Sequence, residues 1–113
     1  MSAQTQPAAS PPMQPERLPV GTLQQVLAAV SDPVRLEMVR RLYDDGAPAA
    51  CARLYDGVSK STASHHFKIL REAGVTERLV IGGQAHQLLR LDEVERVYPG
   101  VLNSILAATH SGT

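Results

Sequence analysis

The fold is indicated most clearly by residues 59–75, which read SKSTASHHFKILREAGV. At 100° per residue, the apolar side chains of residues 60–73 fall on one side of a helix, while hydroxyl groups and cations fall on the other. Ser59 or Ser61 is suited to cap the start of this helix, and Gly74 is suited to end it. The pattern therefore predicts an amphipathic helix with a polar, cationic side. Its apolar side comprises Ala63, His66, Phe67, Leu70 and Ala73.

Three shorter helices are predicted before this segment. Apolar residues recur at helical spacing over residues 23–30. Asp32 is suited to cap a second helix that begins at Pro33, because the missing N–H of proline would have no partner there. Residues 48–55 are rich in alanine and predict a short third helix. Gly57 then allows a tight turn, so that two helices are joined as in a helix-turn-helix.

After the polar helix, the pattern changes to that of two β-strands. The pair Gly82-Gly83 separates two apolar stretches, which is typical of a hairpin. Asp92 and Glu95 have the spacing of a capping box for a final helical region, which Pro99 interrupts. The predicted order is α-α-α-α-β-β-α, a mainly α fold with a two-stranded β wing.

The composition predicts one folded domain with short ends. Residues 1–20 contain five prolines and no apolar period, so we expect a disordered tail. We expect the domain over residues 21–108 and a flexible C-terminus over 109–113. No secretory signal and no apolar run of membrane-spanning length is visible, and a single cysteine forms no internal disulfide. These features favour the cytoplasm.

The charges are unevenly distributed. The net charge is zero, although DNA-binding domains are usually basic. Residues 57–90 nevertheless carry five cationic and two anionic side chains, a net charge of +3. A field needs to be positive only where phosphates approach, so this segment remains suited to nucleic acid. Its cations are Lys60, Lys68, Arg71, Arg78 and Arg90.

Two segments, residues 31–36 (SDPVRL) and residues 59–75, closely resemble the ArsR-type (arsenic-repressor-like) winged helix-turn-helix regulators. The resemblance extends over about residues 23–106. It implies a homodimer that binds a palindromic operator in double-stranded DNA and represses nearby genes until an inducer releases it.

The resemblance also implies which residues contact DNA. A wing around Gly82, Gly83 and Gln84 would reach the minor groove or the backbone. Family wing tips are often rich in arginine and this one is not, so we expect Arg78 and Arg90 to contribute more. The helix residues expected at the DNA are Ser59, Lys60, Ser61, Thr62, Ser64, His65 and Lys68.

A dimer interface between the first and last helices is also implied by the resemblance. The alternative for each of its apolar residues is the core of a single protomer, and some would serve both roles. The candidates are Leu23, Val26, Leu27, Val30, Tyr98, Leu102, Ile105 and Leu106.

Metal, thiol and catalytic chemistry have little support. Metal sensors of the family carry a Cys-x-Cys pair, but Cys51 follows two alanines; near Asp92 the sequence supplies no histidine for the other known site. We therefore expect no metal and no cofactor. Cys51 is either a small buried thiol or a thiol sensor. We interpret His66 as a hydrogen-bonded core histidine. No catalytic motif is present, so we expect no enzyme.

Two questions stay open at the level of sequence. The zero net charge and the polar wing tip leave a winged-helix module for protein–protein contact as the alternative function. An inducer would be a small organic molecule or a thiol oxidant, and we expect its cavity between the first and last helices. The sequence names neither inducer, operator nor regulated genes, and does not distinguish repression from activation.

Overall fold

A computed structural model of the chain describes residues 18–111. Most of the expected N-terminal tail and residues 112–113 lie outside this range. The helices are α1 (Leu23–Ser31), α2 (Pro33–Asp45), α3 (Lys60–Glu72), α4 (Leu91–Val97) and α5 (Val101–Ser111). The strands are β1 (Ala49–Ala50), β2 (Thr76–Ile81) and β3 (Gln84–Leu89), and a 3-10 turn follows β1 at Cys51–Arg53.

Side chains cap the starts of the first two helices, and the cap of α2 is the predicted Asp32. Thr22 and Gln25 form a capping box, in which each side chain accepts a hydrogen bond from the backbone N–H of the other. The Asp32 carboxylate accepts the backbone N–H groups of Val34 and Arg35, at 2.8 and 3.0 Å. The predicted interruption between α1 and α2 is confirmed.

The predicted short helix over residues 48–55 is wrong. Ala49 and Ala50 instead pair with Gln87 and His86 of β3, so the sheet has three antiparallel strands in the order β1-β3-β2. Alanine is a good helix former, but propensity is a weak preference that tertiary pairing overrides. Only the single 3-10 turn remains of this helix, and the hairpin of β2 and β3 forms the wing.

The wing turns at its two glycines. β2 and β3 pair in register from Thr76 opposite Leu89 to Ile81 opposite Gln84. Gly82 and Gly83 have φ angles of 59° and 80°. A two-residue turn with positive φ at both positions matches the twist of the flanking strands, which explains the glycine pair.

All five helices share one apolar core. It includes Val26 and Val30 of α1, Met38 and Leu42 of α2, Leu70 of α3, Val94 of α4, and Leu102 and Leu106 of α5. None of the helices within residues 18–111 is long and apolar enough to cross a membrane.

The ends of the domain differ from the sequence expectations in two details. The predicted capping box at Asp92 and Glu95 is wrong, because Arg90 precedes α4 and no side chain caps it. Glu95 instead accepts the backbone N–H groups of Asn103 and Gly100 at the start of α5, which lowers the pKa of its carboxyl. Residues 109–111, expected to be flexible, form the last turn of α5, where His110 lies 3.0 Å from Asp44.

Candidate nucleic-acid interface

Helix α3 is capped by Ser59 rather than Ser61. The Ser59 hydroxyl accepts a hydrogen bond from the backbone N–H of Thr62 at 3.1 Å and donates one to the Thr62 hydroxyl at 3.0 Å. This leaves the Ser61 side chain exposed on the first turn. Of the two serines that the sequence offered as caps, the structure therefore identifies Ser59.

The burial of α3 follows the predicted pattern. Ala63, Phe67 and Leu70 are buried, and Phe67 packs edge-on against Tyr55 at a ring distance of 6.1 Å. The polar residues expected at the DNA are all exposed, so α3 presents one hydroxyl-rich, cationic side to solvent. They are Lys60, Ser61, Thr62, Ser64, His65 and Lys68, with Ser59 exposed at the cap.

Arg35 fixes the position of α3 against α1. Its guanidinium donates to the carbonyl oxygens of Ala29 and Ala28 near the end of α1, at 2.7 and 3.3 Å. The same group lies 3.0 Å from His66 Nδ1, which accepts the hydrogen bond. His66 is a partnered, mostly buried histidine, as the sequence indicated.

The cations of the interface differ in whether a carboxylate lies close to them. Lys68 lies 4.0 Å from Glu72, an exposed pair of little energetic weight. Within the described chain, neither Lys60 nor Arg78 has a carboxylate within 4 Å, and both are exposed. Their charges are therefore available to an incoming phosphate.

Arg90 does not belong to this surface, and its expected contribution to DNA contact is wrong. It is 6% exposed, its Nε atom lies 2.8 Å from Glu93 Oε1, and its guanidinium also donates to the carbonyl oxygen of Leu18. Arg90 thus holds Leu18, the first residue that the structure describes, against the domain by a hydrogen bond. Sequence position near a strand end gave no indication of this burial.

Three acids, Glu37, Asp44 and Asp56, form a network of ion pairs with arginines of α2. Glu37 accepts hydrogen bonds from Arg40 and Arg41, and these bonds lower the pKa of its carboxyl to about 2. The two arginines also pair with Asp44 and Asp56. These acids are paired with arginines of α2, so the network does not offset the exposed cations Lys60 and Arg78.

The wing tip is bare. Gly83 and Gln84 are exposed, and a Cβ atom added at Gly82 or Gly83 would meet nothing within 4 Å. The sequence did not indicate that Val80 and Ile81 would also be exposed there, at 61% and 47%. The tip therefore offers backbone groups and apolar side chains, and the nearest cation is Arg78 in the body of β2.

Comparisons with known proteins agree with this architecture. A helix-turn-helix domain family matches residues 30–78. The uncharacterized HTH-type transcriptional regulator YceK of Bacillus subtilis (strain 168) is 36% identical over 83 residues, which are 72% of this chain and 83% of YceK. Among solved structures, an ArsR family transcriptional regulator superposes with a TM-score of 0.59 at 18% identity, over 73% of this chain and 90% of that one. The transcriptional repressor BigR from Xylella fastidiosa superposes with a TM-score of 0.55 at 25% identity, over 66% of this chain and 76% of BigR.

The chain belongs to the HTH-type transcriptional regulators, and its fold is that of an ArsR-type winged helix-turn-helix protein.

The helix-turn-helix domain and the HTH-type relative make the chain a DNA-binding transcriptional regulator. They confirm the fold and the class of function inferred from residues 31–36 and 59–75. The homodimer remains a prediction.

The dimer candidates of this ArsR-type chain fall into two groups. Leu23 and Leu27 on α1 are 38% and 42% exposed, so their side chains are available to a partner. Ile105 is half-buried, and the half-buried Tyr98 donates its hydroxyl to the carbonyl oxygen of Gly21 at 2.6 Å. The buried group belongs to the core of one protomer, the alternative that the sequence left open. It comprises Val26, Val30, Leu102 and Leu106.

The thiol of this ArsR-type regulator lies beside the sheet. Cys51 is partly buried, and the Gln87 amide nitrogen lies 3.7 Å from its sulfur atom. Between Leu18 and Ser111, no group of three or more His, Cys, Asp or Glu side chains lies close enough together to hold a metal ion. The roles of Cys51 as a buried thiol or as a sensor remain hypotheses.

Proposed function

We propose that this regulator is a repressor that binds a palindromic operator as a homodimer, with α3 in the major groove. The observation that carries the proposal is the single exposed side of α3, where hydroxyls, an imidazole and lysines stand over a buried apolar side. A major groove admits an α-helix, and these groups suit both phosphates and base edges.

The roles along α3 follow from chemistry and position. Lys60 and Lys68 carry the charges that suit phosphates. Ser61 and Thr62 stand on the first turn, where backbone N–H groups also favour a phosphate oxygen. Ser64 and His65 lie on the exposed side and are proposed to contact base edges, because hydroxyl and imidazole groups hydrogen-bond to several bases.

The wing is proposed to contact the backbone beside the groove. Arg78 would supply the charge, and Gly83 and Gln84 would approach through their backbone groups and one amide side chain. The support for this role is the exposure of all three residues.

A dimer would bring two copies of α3 to successive major grooves. Leu23 and Leu27 are proposed to pack around the two-fold axis with Tyr98 and Ile105 of the other protomer, since exposed leucines on α1 otherwise remain in water. The name of BigR as a transcriptional repressor supports repression rather than activation. DNA as the target implies that the protein acts in the cytoplasm. The proposed functional domain is residues 21–108.

The test is binding of the full chain to the DNA upstream of its own gene, followed by fluorescence anisotropy, with a shuffled duplex of equal length as reference. We expect a preference for the upstream DNA that falls when His65→Ala and Ser64→Ala are introduced together, because base contacts carry specificity. A footprint should show two half-sites about one helical turn apart.

If the chain bound neither duplex at low salt, the result would contradict the proposal and would favour a module for protein–protein contact. Equal affinity of the double variant and the parent for both duplexes would contradict the role of Ser64 and His65.

A further inference from the structure

An open cleft lies between α3 and the sheet. It has a volume of about 620 Å³ and opens between the exposed side of α3 and the wing. Small-molecule sites of proteins are typically 300–1,000 Å³. An inducer cavity between the first and last helices was the expectation from sequence, whereas this cleft lies on the other side of the recognition helix.

The rim of the cleft is cationic. Lys60, Lys68 and Arg71 line it from α3, and Arg78 lines it from β2. Four positive charges that face one cavity from two elements favour an anion there. Lys68 lies 4.0 Å from Glu72, an exposed pair that offsets little of its charge.

The interior of the cleft is apolar. Ala50, Ala52, Ala63, Tyr55 and Phe67 supply much of its wall. A phosphate of the DNA backbone would use the rim but gain nothing from these side chains. The walls instead suit a hydrocarbon or aromatic body, because apolar surface is stabilised when it leaves water.

One buried polar group in the cleft wall lacks a partner. Gln87 is 1% exposed, and its side chain shares a sheet face with Arg78, its neighbour across the β2–β3 ladder. Its amide nitrogen is directed to the Cys51 sulfur, but its Oε1 atom has no hydrogen-bond donor among the described residues. A buried acceptor without a donor costs about 1–3 kcal/mol, so a ligand O–H or N–H group that Oε1 meets when the side chain turns toward the cleft would be favoured.

We propose that this cleft is an inducer site for a small organic anion: a carboxylate bound at the cationic rim, an apolar or aromatic body between α3 and the sheet, and a hydroxyl donor for Gln87. The regulatory part of the proposal rests on the proposed DNA-binding function. Because the carboxylate would occupy Lys68 and Arg78, the ligand and DNA phosphates would compete for the same cations, and ligand binding would release the operator.

The direct test uses 4-hydroxybenzoate as the probe and needs no DNA. Amide chemical shifts of the ¹⁵N-labelled full chain are followed by NMR at constant ionic strength. We expect saturable shifts centred on residues 50–52, 63–68 and 84–87, with a dissociation constant of about 1 mM or tighter, as ten non-hydrogen atoms permit. Benzoate lacks the donor and 4-hydroxybenzamide lacks the charge, so each should bind at least several-fold more weakly.

Variants separate the two ends of the ligand. Arg78→Met should weaken 4-hydroxybenzoate and benzoate alike, whereas Arg96→Met, which removes an exposed cation of α4, should change neither. Gln87→Met keeps the size of the side chain and should weaken 4-hydroxybenzoate by about tenfold while leaving benzoate unchanged. A melting temperature at or above that of the parent would show that this variant folds, since it removes an unsatisfied acceptor.

Three results would overturn the proposal: no saturable shifts in these segments, inorganic phosphate that shifts the same amides with equal affinity, or a Gln87→Met variant that binds both aromatic acids as the parent does. The regulatory step is tested separately, by release of the upstream DNA. Gln87→Met should bind this DNA as the parent does but need about tenfold more 4-hydroxybenzoate for release. Failure of the parent to bind DNA would contradict the proposed function, while the NMR titration would still decide the ligand site.

Discussion

The guanidinium of Arg35, at the start of α2, lies 3.0 Å from Nδ1 of His66, in the middle of α3. The same guanidinium holds two carbonyl oxygens at the end of α1. The recognition helix is therefore positioned by a hydrogen-bonded group as well as by its apolar side. Since Arg35 always carries its proton, His66 must offer an unprotonated Nδ1 atom and keep its own hydrogen on Nε2.

His66→Leu should destabilise the fold by about 1–3 kcal/mol, because it removes the acceptor and leaves a partly buried guanidinium N–H without its partner. His66→Asn, whose side-chain oxygen can take the place of Nδ1, should recover most of this loss. Urea unfolding monitored by circular dichroism measures both variants. Equal destabilisation by the two substitutions would show that packing of the ring, rather than the hydrogen bond, is what matters.

Ser59→Ala should lower the free energy of unfolding by about 1 kcal/mol, because the backbone N–H of Thr62 loses its cap. Ser61→Ala is the matched control: it changes the same residue type on the same turn without removing the cap, and it should lie within about 0.5 kcal/mol of the parent. A larger loss for Ser61→Ala than for Ser59→Ala would contradict the assigned cap.

Lys60→Met and Lys68→Met should each weaken DNA binding and flatten its salt dependence. Each phosphate contact that is lost should reduce the slope of log K against log salt by about 0.9 per protomer. Arg96→Met, outside the interface, should leave the slope unchanged. The slope is measured by anisotropy between low and physiological salt, and an unaltered slope in both lysine variants would count against their phosphate contacts.

Leu23→Glu combined with Leu27→Glu should convert a dimer to a monomer at micromolar concentration, because two charges would enter the proposed apolar interface. Light scattering coupled to size exclusion measures the mass. Val80→Glu is the control, since Val80 is even more exposed but lies on the wing. A monomeric parent chain, or a double variant that remains dimeric, would refute this interface.

The Glu37 network should make stability fall in acid. The folded pKa of Glu37, about 2, lies below its ordinary value of 4.5 because Arg40 and Arg41 donate to it. Its contribution is therefore fully present above about pH 4.5 and is lost as the pH falls toward 2. Glu37→Gln should be less stable than the parent at pH 7, and the difference should shrink over this range. Asp45→Asn, at the end of α2, serves as a control, and an unchanging difference for Glu37→Gln would contradict the network.

Local signals explain why much of the fold could be predicted. A helix cap at Asp32 and Pro33 depends only on the neighbouring residues, and so does the turn at the paired glycines. The apolar periodicity of α3 is likewise visible within one helix. A single sequence therefore contains the information needed to predict these features. Strand β1 is different: Ala49 and Ala50 have no strand signal of their own, and they become extended only because β3 offers them partners.

In the candidate site, too, features within one helix could be predicted and contacts between distant residues could not. The exposed side of α3 follows from its period, but the burial of Arg90 depends on Leu18, far away in the sequence. The cleft likewise needs Cys51 and Gln87, which are 36 residues apart and meet only through the sheet. Long-range pairs of this kind leave no periodic trace in a sequence.

The bare tip at Gly82 and Gly83 limits how much sequence a protomer can read. With no cationic side chain at the tip to insert into the minor groove, each protomer would discriminate mainly the few base pairs under one helix, and each discriminating pair is worth about 1–3 kcal/mol. A chromosome of millions of base pairs contains many chance matches to so short a recognition sequence. Selectivity would then come from the spacing of two half-sites on one face of the duplex. Duplicated or overlapping operators near a promoter would therefore be occupied before isolated single sites.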